Sequence, residues 1–290
     1  MKTVGTDEMV FSECELLLRL KYPECNNRTL VDVGAHAGNF AQPFAKRGWR
    51  VIAFEPEPTN YQELTARFEN FSNVTCIAKA VSNISEEGVS FYFSSEHWGI
   101  HSLKPFHPTH QATLKVNTVR LDEILRDMQV DWVTVLKIDI EGADFLALQS
   151  FDFKRMQPEV IMCEFMDERS QKNFGYTHHD MVDYMDRLGY LTFVSEWAPI
   201  VEYGRRGMPV SHSFLQCVPY PLDHEPAWGN LFFVPRGRAA EFSGVLSSYL
   251  TDLELSRKIA GLQSLLEALP GGKILYKALC RVYQTLLKRS

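Results

Sequence analysis

Along the chain, short runs of β-branched and apolar residues alternate with stretches whose apolar positions recur at helical spacing. That alternation predicts a mostly parallel sheet covered on both faces. The strand-like runs are Thr29 to Val33, Arg50 to Phe54, Val74 to Ala78, Thr134 to Ile138, Val160 to Glu164, Tyr190 to Val194 and Asn230 to Val234, seven in all. Between the first two, Phe40, Phe44 and Ala45 repeat at helical spacing, Pro43 suits a first turn and Gly48 a stop. A second helix is expected from Thr59, with Thr59 and Gln62 as a capping box and Tyr61, Leu64 and Phe68 facing inward. Val89 to Phe93 and Thr113 to Val119 break the rhythm around a polar stretch rich in His, and predict an antiparallel insertion.

After Pro235 the texture changes. Thr251 and Glu254 form a capping-box pair ahead of Leu255, Ile259, Leu262, Leu266 and Leu269, and Pro270 to Gly272 close that helix. The last segment sets Leu275, Leu279, Val282 and Leu286 on one face and Lys273, Lys277, Arg281, Lys288 and Arg289 elsewhere. Such a basic amphipathic helix suits packing on the body, an anionic lipid surface or a partner protein, and self-association is compatible with it. The expected division is a helical lead-in over 1–28, the α/β domain over 29–235 and a helical extension over 236–290.

Composition narrows the class. The 290 residues are 45% hydrophobic and 23% charged, an ordinary globular mixture, and the net charge of -6 offers no field for a polyanion, so nucleic acid is not an expected partner. Six scattered cysteines with no C-x-x-C pair read as reduced thiols, and Met1 to Asp7 lacks the basic and apolar regions of a signal peptide. A cytoplasmic location is the expectation.

Three stretches carry chemistry. Leu30 to Phe40 runs a strand into Asp32, turns through Gly34, Ala35, His36, Ala37 and Gly38, and enters a helix, leaving backbone N–H groups at the strand's carboxyl end. Glu55 ends the second strand 21 residues after Gly34, where a carboxylate can accept hydrogen bonds from both hydroxyls of a ribose. Gly34 and Gly38 are four apart with His36 between them, which departs from the G-x-G-x-x-G spacing of nicotinamide dinucleotide sites. The third stretch, Leu136 to Asp144, is another strand ending in acids and Gly before a helix, and points Asp139 at the ligand crevice.

Asp32-Val33-Gly34-Ala35-His36-Ala37-Gly38, Phe54-Glu55-Pro56, Ala80-Val81-Ser82, Leu121-Asp122, Leu136 to Gly142 and Asn230 to Pro235 stand in the order and spacing of the FkbM-type methyltransferases. The resemblance covers roughly Thr29 to Pro235. It implies a Rossmann-like class I methyltransferase fold with a seven-stranded sheet, S-adenosylmethionine as donor and an oxygen acceptor on a saccharide or natural product. By the same resemblance, Asp32, Gly34, His36 and Gly38 wrap the methionine part of the donor, and Glu55 holds the ribose. Ser82, at the end of Ala80 to Ser82, borders the adenine, and Asp139 sits beside the methionine amino group or the acceptor. Two places depart from the family pattern: His101-Ser102-Leu103 stands where Ser-Ser-Leu is expected, and Gly229 where an Asp often precedes the Asn.

A hydroxyl must lose its proton to attack a sulfonium methyl, so a general base or a metal is expected beside the acceptor. Asp139, Glu141, Glu164 and His101 are the candidates, with Asp139 as positioner and His101 or Glu164 as base. A divalent ion could use Asp139, Glu164 and Asp167, but no close His and carboxylate spacing marks a metal site, so none is assigned. Acceptor selection is expected from the insertion and from the Ser195 to Gly229 connection. That connection holds Trp197, Tyr203, Arg205, Arg206, His212, His224 and Trp228, and its arginines suit a phosphate on a nucleotide sugar. A nitrogen acceptor and a non-catalytic binding or scaffold role are the competing readings.

Overall fold

The computed structural model describes residues 10–22, 28–97, 99–205, 208 and 210–267. The basic amphipathic segment after Gly272, Arg206, Cys25 and Cys280 lie outside the described residues. In chain order the first half consists of α1 (Glu13–Arg19), β1 (Thr29–Val33), α2 (Gln42–Lys46), β2 (Arg50–Phe54), α3 (Pro58–Arg67), β3 (Val74–Ile77), β4 (Ala80–Val81), β5 (Glu86–Ser94) and β6 (His110–Val119). The second half consists of α4 (Leu121–Asp127), β7 (Val135–Ile138), α5 (Asp144–Gln149), β8 (Val160–Phe165), α6 (Asp167–Phe174), α7 (His178–Arg187), β9 (Tyr190–Trp197), β10 (Phe214–Pro219), β11 (Trp228–Pro235) and α8 (Ala239–Glu267).

The main sheet has the order β10-β9-β11-β8-β7-β1-β2-β3. β3, β2, β1, β7 and β8 pair in parallel, whereas β11 is antiparallel to both β8 and β9. The expected seven strands are all present, and β10 makes an eighth inside what the sequence suggests is one long connection. Its alternation is one-sided because it is an edge strand: Cys217 is buried, and Phe214 stacks on Phe11 at 4.1 Å. The insertion forms a second sheet, in which β5 and β6 are antiparallel and β4 runs parallel to β6.

Continuous apolar runs in the central strands follow from burial on both faces. Val31, Val33, Ile52, Phe54, Leu136 and Ile138 point into one core with Leu121 and Leu125 of α4, Leu148 of α5 and Met181 and Met185 of α7. Leu30, Val51 and Val135, one register position away, point into the other with Leu16 and Leu17 of α1, Phe44 of α2, Leu64 of α3 and Phe242 and Leu246 of α8. The four described cysteines are free thiols, two buried and two partly exposed. Among the described residues, no helix is long and apolar enough to cross a membrane.

Two helix starts differ from expectation. In α3, Pro58 fills the first turn and Glu57 is the cap, accepting the Asn60 N–H at 2.7 Å, so Thr59 lies inside the helix. In α8, Thr251 is an interior residue whose hydroxyl donates to Ser247 O. The helix starts twelve residues earlier because Phe242, Leu246, Tyr249 and Leu253 form a stripe buried against the sheet and α1, while Leu255 and Leu262 are exposed.

Candidate active site

The chain runs from β1 outward to β2 and β3, then returns to β7 on the other side of β1. That reversal opens a crevice at the carboxyl ends of β1 and β7. A cleft of about 430 Å³ sits there, lined by Gly34, His36, Glu55, Asp139, Glu141 and Glu164 among others. A smaller lobe of about 250 Å³ adjoins it through Gly34, His36, Asn39 and Asp139, and reaches Glu13, Lys137 and Asn230.

The turn after β1 is shaped by contacts that exclude side chains. Gly34 has φ of +78°, and a Cβ on it would lie 1.9 Å from Asp139 O, because the ends of β1 and β7 converge. Gly38 has φ of +81° and backs onto Phe68, 2.5 Å from where a Cβ would be. His36 is also left-handed, and its N–H donates to Glu55 Oε2 at 2.9 Å. Glu55 Oε1 accepts the Glu57 N–H at 2.9 Å, so the carboxylate is buried and aimed by two backbone donors. Burial outweighs those bonds and pushes its pKa up to about 7.

Beneath the turn lies an ion pair for which the sequence reading assigned no partner to the lysine. Lys137, in the middle of β7, is buried with its Nζ 3.1 Å from Asp32 Oδ1 and 3.5 Å from Asp139 Oδ2, and it donates to Gly34 O at 2.7 Å. Burial opposes its charge, but Asp32 and Asp139 outweigh burial and hold the ammonium above the usual lysine range. Asp32 is completely buried and its Oδ2 has no hydrogen-bond partner. A lysine flanked by Leu136 and Ile138 in a fully buried strand was the available signal: such a charge requires an acid close by.

The Asp139 to Gly142 turn is fixed from below by Asp144, which accepts the Ile140 and Gly142 N–H groups at 3.1 and 3.0 Å. From above, the Ser102 hydroxyl donates to Glu141 O at 3.0 Å and ties the insertion to this turn. Glu141 is left-handed and ion-paired with Arg169 of α6. Arg169 in turn donates to Tyr203 Oη at 2.7 Å and stacks over Phe106 at 4.3 Å. Arg169, too, is a site residue that the sequence reading passed over. Asp139, Glu141 and Glu164 bring carboxylate oxygens within 4.8 Å of one another, an arrangement able to hold a divalent ion. Glu164 is buried, and burial followed by Asp139 and Asp144 pushes its pKa well above the usual carboxylate range. Asp167 is not in this cluster; it binds His178.

Of the expected donor-site residues, Gly34, His36, Glu55 and Asp139 line the cleft. Asp32, Gly38 and Ser82 do not: Asp32 lies under Lys137, Gly38 packs on α3, and the Ser82 hydroxyl turns to Asn83, leaving Ala80 and Val81 on the border. His101 lines the cleft, but its Nδ1 accepts the Ser94 N–H at 3.3 Å and burial lowers its pKa to about 4. Its ring therefore presents a neutral Nε2–H, a donor and not a base.

On the acceptor side, Tyr203, His212 and Trp228 line the cleft, whereas Arg205 does not. Trp197 ends β9 and donates to Glu13 at 2.7 Å, and His224 pairs outward with Glu196 and Asp223. At Gly229 a Cβ would lie 2.0 Å from Ser195 O, so the departure there from Asp follows from the close approach of β11 to β9. In the smaller lobe, Glu13 accepts from Ser195, Trp197 and Asn230, and the buried Asn230 Oδ1 has no partner.

The strand order, with an antiparallel β11 between β8 and β9 and a crevice at the β1 and β7 ends, defines a class I methyltransferase fold. Residues 32–192 match the Methyltransferase FkbM domain, and the chain belongs to that family. A methyltransferase FkbM from Methylobacillus flagellatus KT is similar at 16% identity with a TM-score of 0.43, over 71% of this chain and 43% of that one. This chain thus spans less than half the length of that protein. Precorrin-6y C5,15-methyltransferase from Geobacter metallireducens GS-15 is similar at 12% identity, covering 81% of this chain and 98% of that one with a TM-score of 0.38. The Streptococcus mutans protein SMU.1697c, in complex with SAH, is similar at 8% identity, covering 76% and 93% with a TM-score of 0.41. No curated protein matches significantly.

Proposed function

We propose that the chain transfers a methyl group from S-adenosylmethionine to a hydroxyl of a small polar acceptor of saccharide or natural-product type. The observation that carries the donor assignment is the buried Asn230 Oδ1 left without a partner in a lobe that also presents Glu13 and Asp139. An amino acid's ammonium would satisfy these oxygens, and Glu55 stands across the cleft where ribose hydroxyls can donate to its remaining lone pairs. When bound, the donor supplies a methyl carbon made electrophilic by its sulfonium.

The chain's part is positioning and one proton. Asp139 and Glu164 line the cleft, and burial beside Asp139 and Asp144 raises the pKa of Glu164, which makes its ionised form the stronger base for the acceptor's hydroxyl proton. His101 serves as a hydrogen-bond donor. Tyr203, His212 and Trp228 form an amphipathic wall for a ring bearing hydroxyls, and Arg169 keeps Glu141 turned toward α6. Much of the acceleration then comes from alignment of oxygen and methyl carbon. Calorimetric titration with S-adenosylmethionine and S-adenosylhomocysteine, with NADH as control, tests the donor. Saturable binding of the two sulfur compounds alone is expected, followed by label transfer from methyl-tritiated donor into a hydroxylated acceptor panel. Failure of both to bind would remove the reading.

A further inference from the structure

We propose that His178, His179 and Glu225 form a zinc site, outside the methyl-transfer cleft, that fastens the connection between β10 and β11 to the amino end of α7. Their ligand atoms all lie within 4.8 Å of one another. The two histidines come from the start of α7, set by a capping box between Thr177 and Asp180, and Glu225 arrives from the connection across the gap.

The hydrogen-bond geometry is already that of a metal ligand. His178 is 1% exposed, its backbone N–H donates to Asp167 Oδ1 at 2.8 Å, and its ring Nδ1 lies 2.7 Å from Asp167 Oδ2. A carboxylate at that distance accepts an Nδ1–H and so turns the Nε2 edge of the ring toward the gap. That nitrogen makes no hydrogen bond to any described residue and faces Glu225 Oε2 at 3.9 Å. A buried imidazole with one nitrogen oriented by a carboxylate and the other left open is the arrangement that outer partners impose on zinc-binding histidines. The second ring has an orienting group too: His179 Nδ1 lies 2.7 Å from Tyr220 Oη, and its Nε2 lies 3.2 Å from Glu225 Oε2.

Distances and charge both suit the ion. Tetrahedral zinc with bonds of about 2.0–2.1 Å holds its ligand atoms about 3.3 Å apart, close to the His179–Glu225 separation of 3.2 Å. The wider His178–Glu225 gap closes by movement of Glu225, whose side chain is 76% exposed. The carboxylates of Glu225 and Asp167 together balance a divalent charge. Two imidazoles and one carboxylate favour zinc over magnesium or calcium, and the exposed side of Glu225 leaves a fourth position for water. Pro226, the next residue, is buried, and Trp228, three positions from the ligand, lines the cleft. Zinc here therefore braces the acceptor-side wall.

The test is calorimetric titration of the chelator-treated full chain, without a polyhistidine tag, with zinc chloride. One zinc per chain is expected, unaffected by excess magnesium. Substitution of cobalt should give the visible absorption of a tetrahedral site. His179→Ala and Glu225→Gln, both at exposed side chains, should each weaken binding at least tenfold with unchanged circular dichroism. Asp167→Asn should weaken it 10–100-fold, as loss of an orienting partner does. Zinc affinity retained in the His179→Ala, Glu225→Gln double variant would place the metal elsewhere, and absence of saturable binding by the parent chain would exclude it; either result overturns the proposal.

Discussion

As the proposed ribose acceptor, Glu55 should couple donor binding to pH with a definite sign. Its folded pKa of about 7 stands against an ordinary value of 4.5, and the main cause is burial. Because the raised value belongs to the folded state, its stabilising contribution is complete below the unfolded pKa and is lost as pH rises through about 7. At about 1.4 kcal/mol per pH unit, the loss is nearly complete by pH 8 and comes to roughly 3–3.5 kcal/mol. Donor affinity runs the other way. Ribose hydroxyls are best received by the ionised carboxylate, so below pH 7 binding must first expel a proton and the Kd should rise up to tenfold per unit. The assay is titration with S-adenosylhomocysteine from pH 5.5 to 8.5 in buffers of matched ionic strength, paired with thermal unfolding of the unliganded protein. Asp144 also has a pKa raised to about 7, by burial and then Asp139, so Glu55→Gln is the control. In that variant affinity should drop by about 1–3 kcal/mol and lose its slope. A slope that persists in folded Glu55→Gln, or affinity that falls as pH rises, would refute the reasoning.

Further expectations concern the charges around the turn. Lys137→Met strands the buried Asp32 carboxylate and should destabilise by about 3–5 kcal/mol at neutral pH, less at acidic pH where Asp32 is protonated; urea unfolding at two pH values checks it. Adding Asp32→Asn to that variant should recover part of the loss. Gly34→Ala should abolish donor binding in calorimetry, since its methyl meets Asp139 O. Glu164→Gln should keep donor affinity and lose turnover by at least a hundredfold in the label-transfer assay, whereas an unchanged rate would remove Glu164 as the base.

Most of the sheet was legible because each central strand is buried on both faces, which gives unbroken apolar runs such as Val160 to Cys163 that no exposed element would tolerate. β10 was not, since an edge strand with one covered face alternates weakly and sits among Pro and Gly residues that read as loop. The false helix start at Thr251 came from a local capping pattern overruled by packing, because Phe242, Leu246 and Tyr249 already carry the helix against the sheet. Within the site, the residues at the ends of β1, β2 and β7 could be found because strand ends at a topological reversal border a crevice. Glu13, Lys137, Arg169 and Asn230 work through partners distant in sequence, and no spacing rule connects Lys137 to Asp32 or Glu13 to Asn230. Ser82 and Gly38 show the converse: a motif position can serve the turn without touching the cleft.

The place of β11 bears on how the chain folds. Among the described residues it is the last strand in chain order, yet it lies between β8 and β9 and supplies Asn230 opposite Glu164. Until it inserts, β8 and β9 each expose an unpaired edge, and every contact that closes the gap is long-range. Insertion of β11 should therefore be a late event, one that makes the sheet continuous and assembles the two lobes at once. During synthesis the chain passes through a stage, after β10, with two sticky edges and no complete cleft, which is the stage most in need of protection from aggregation.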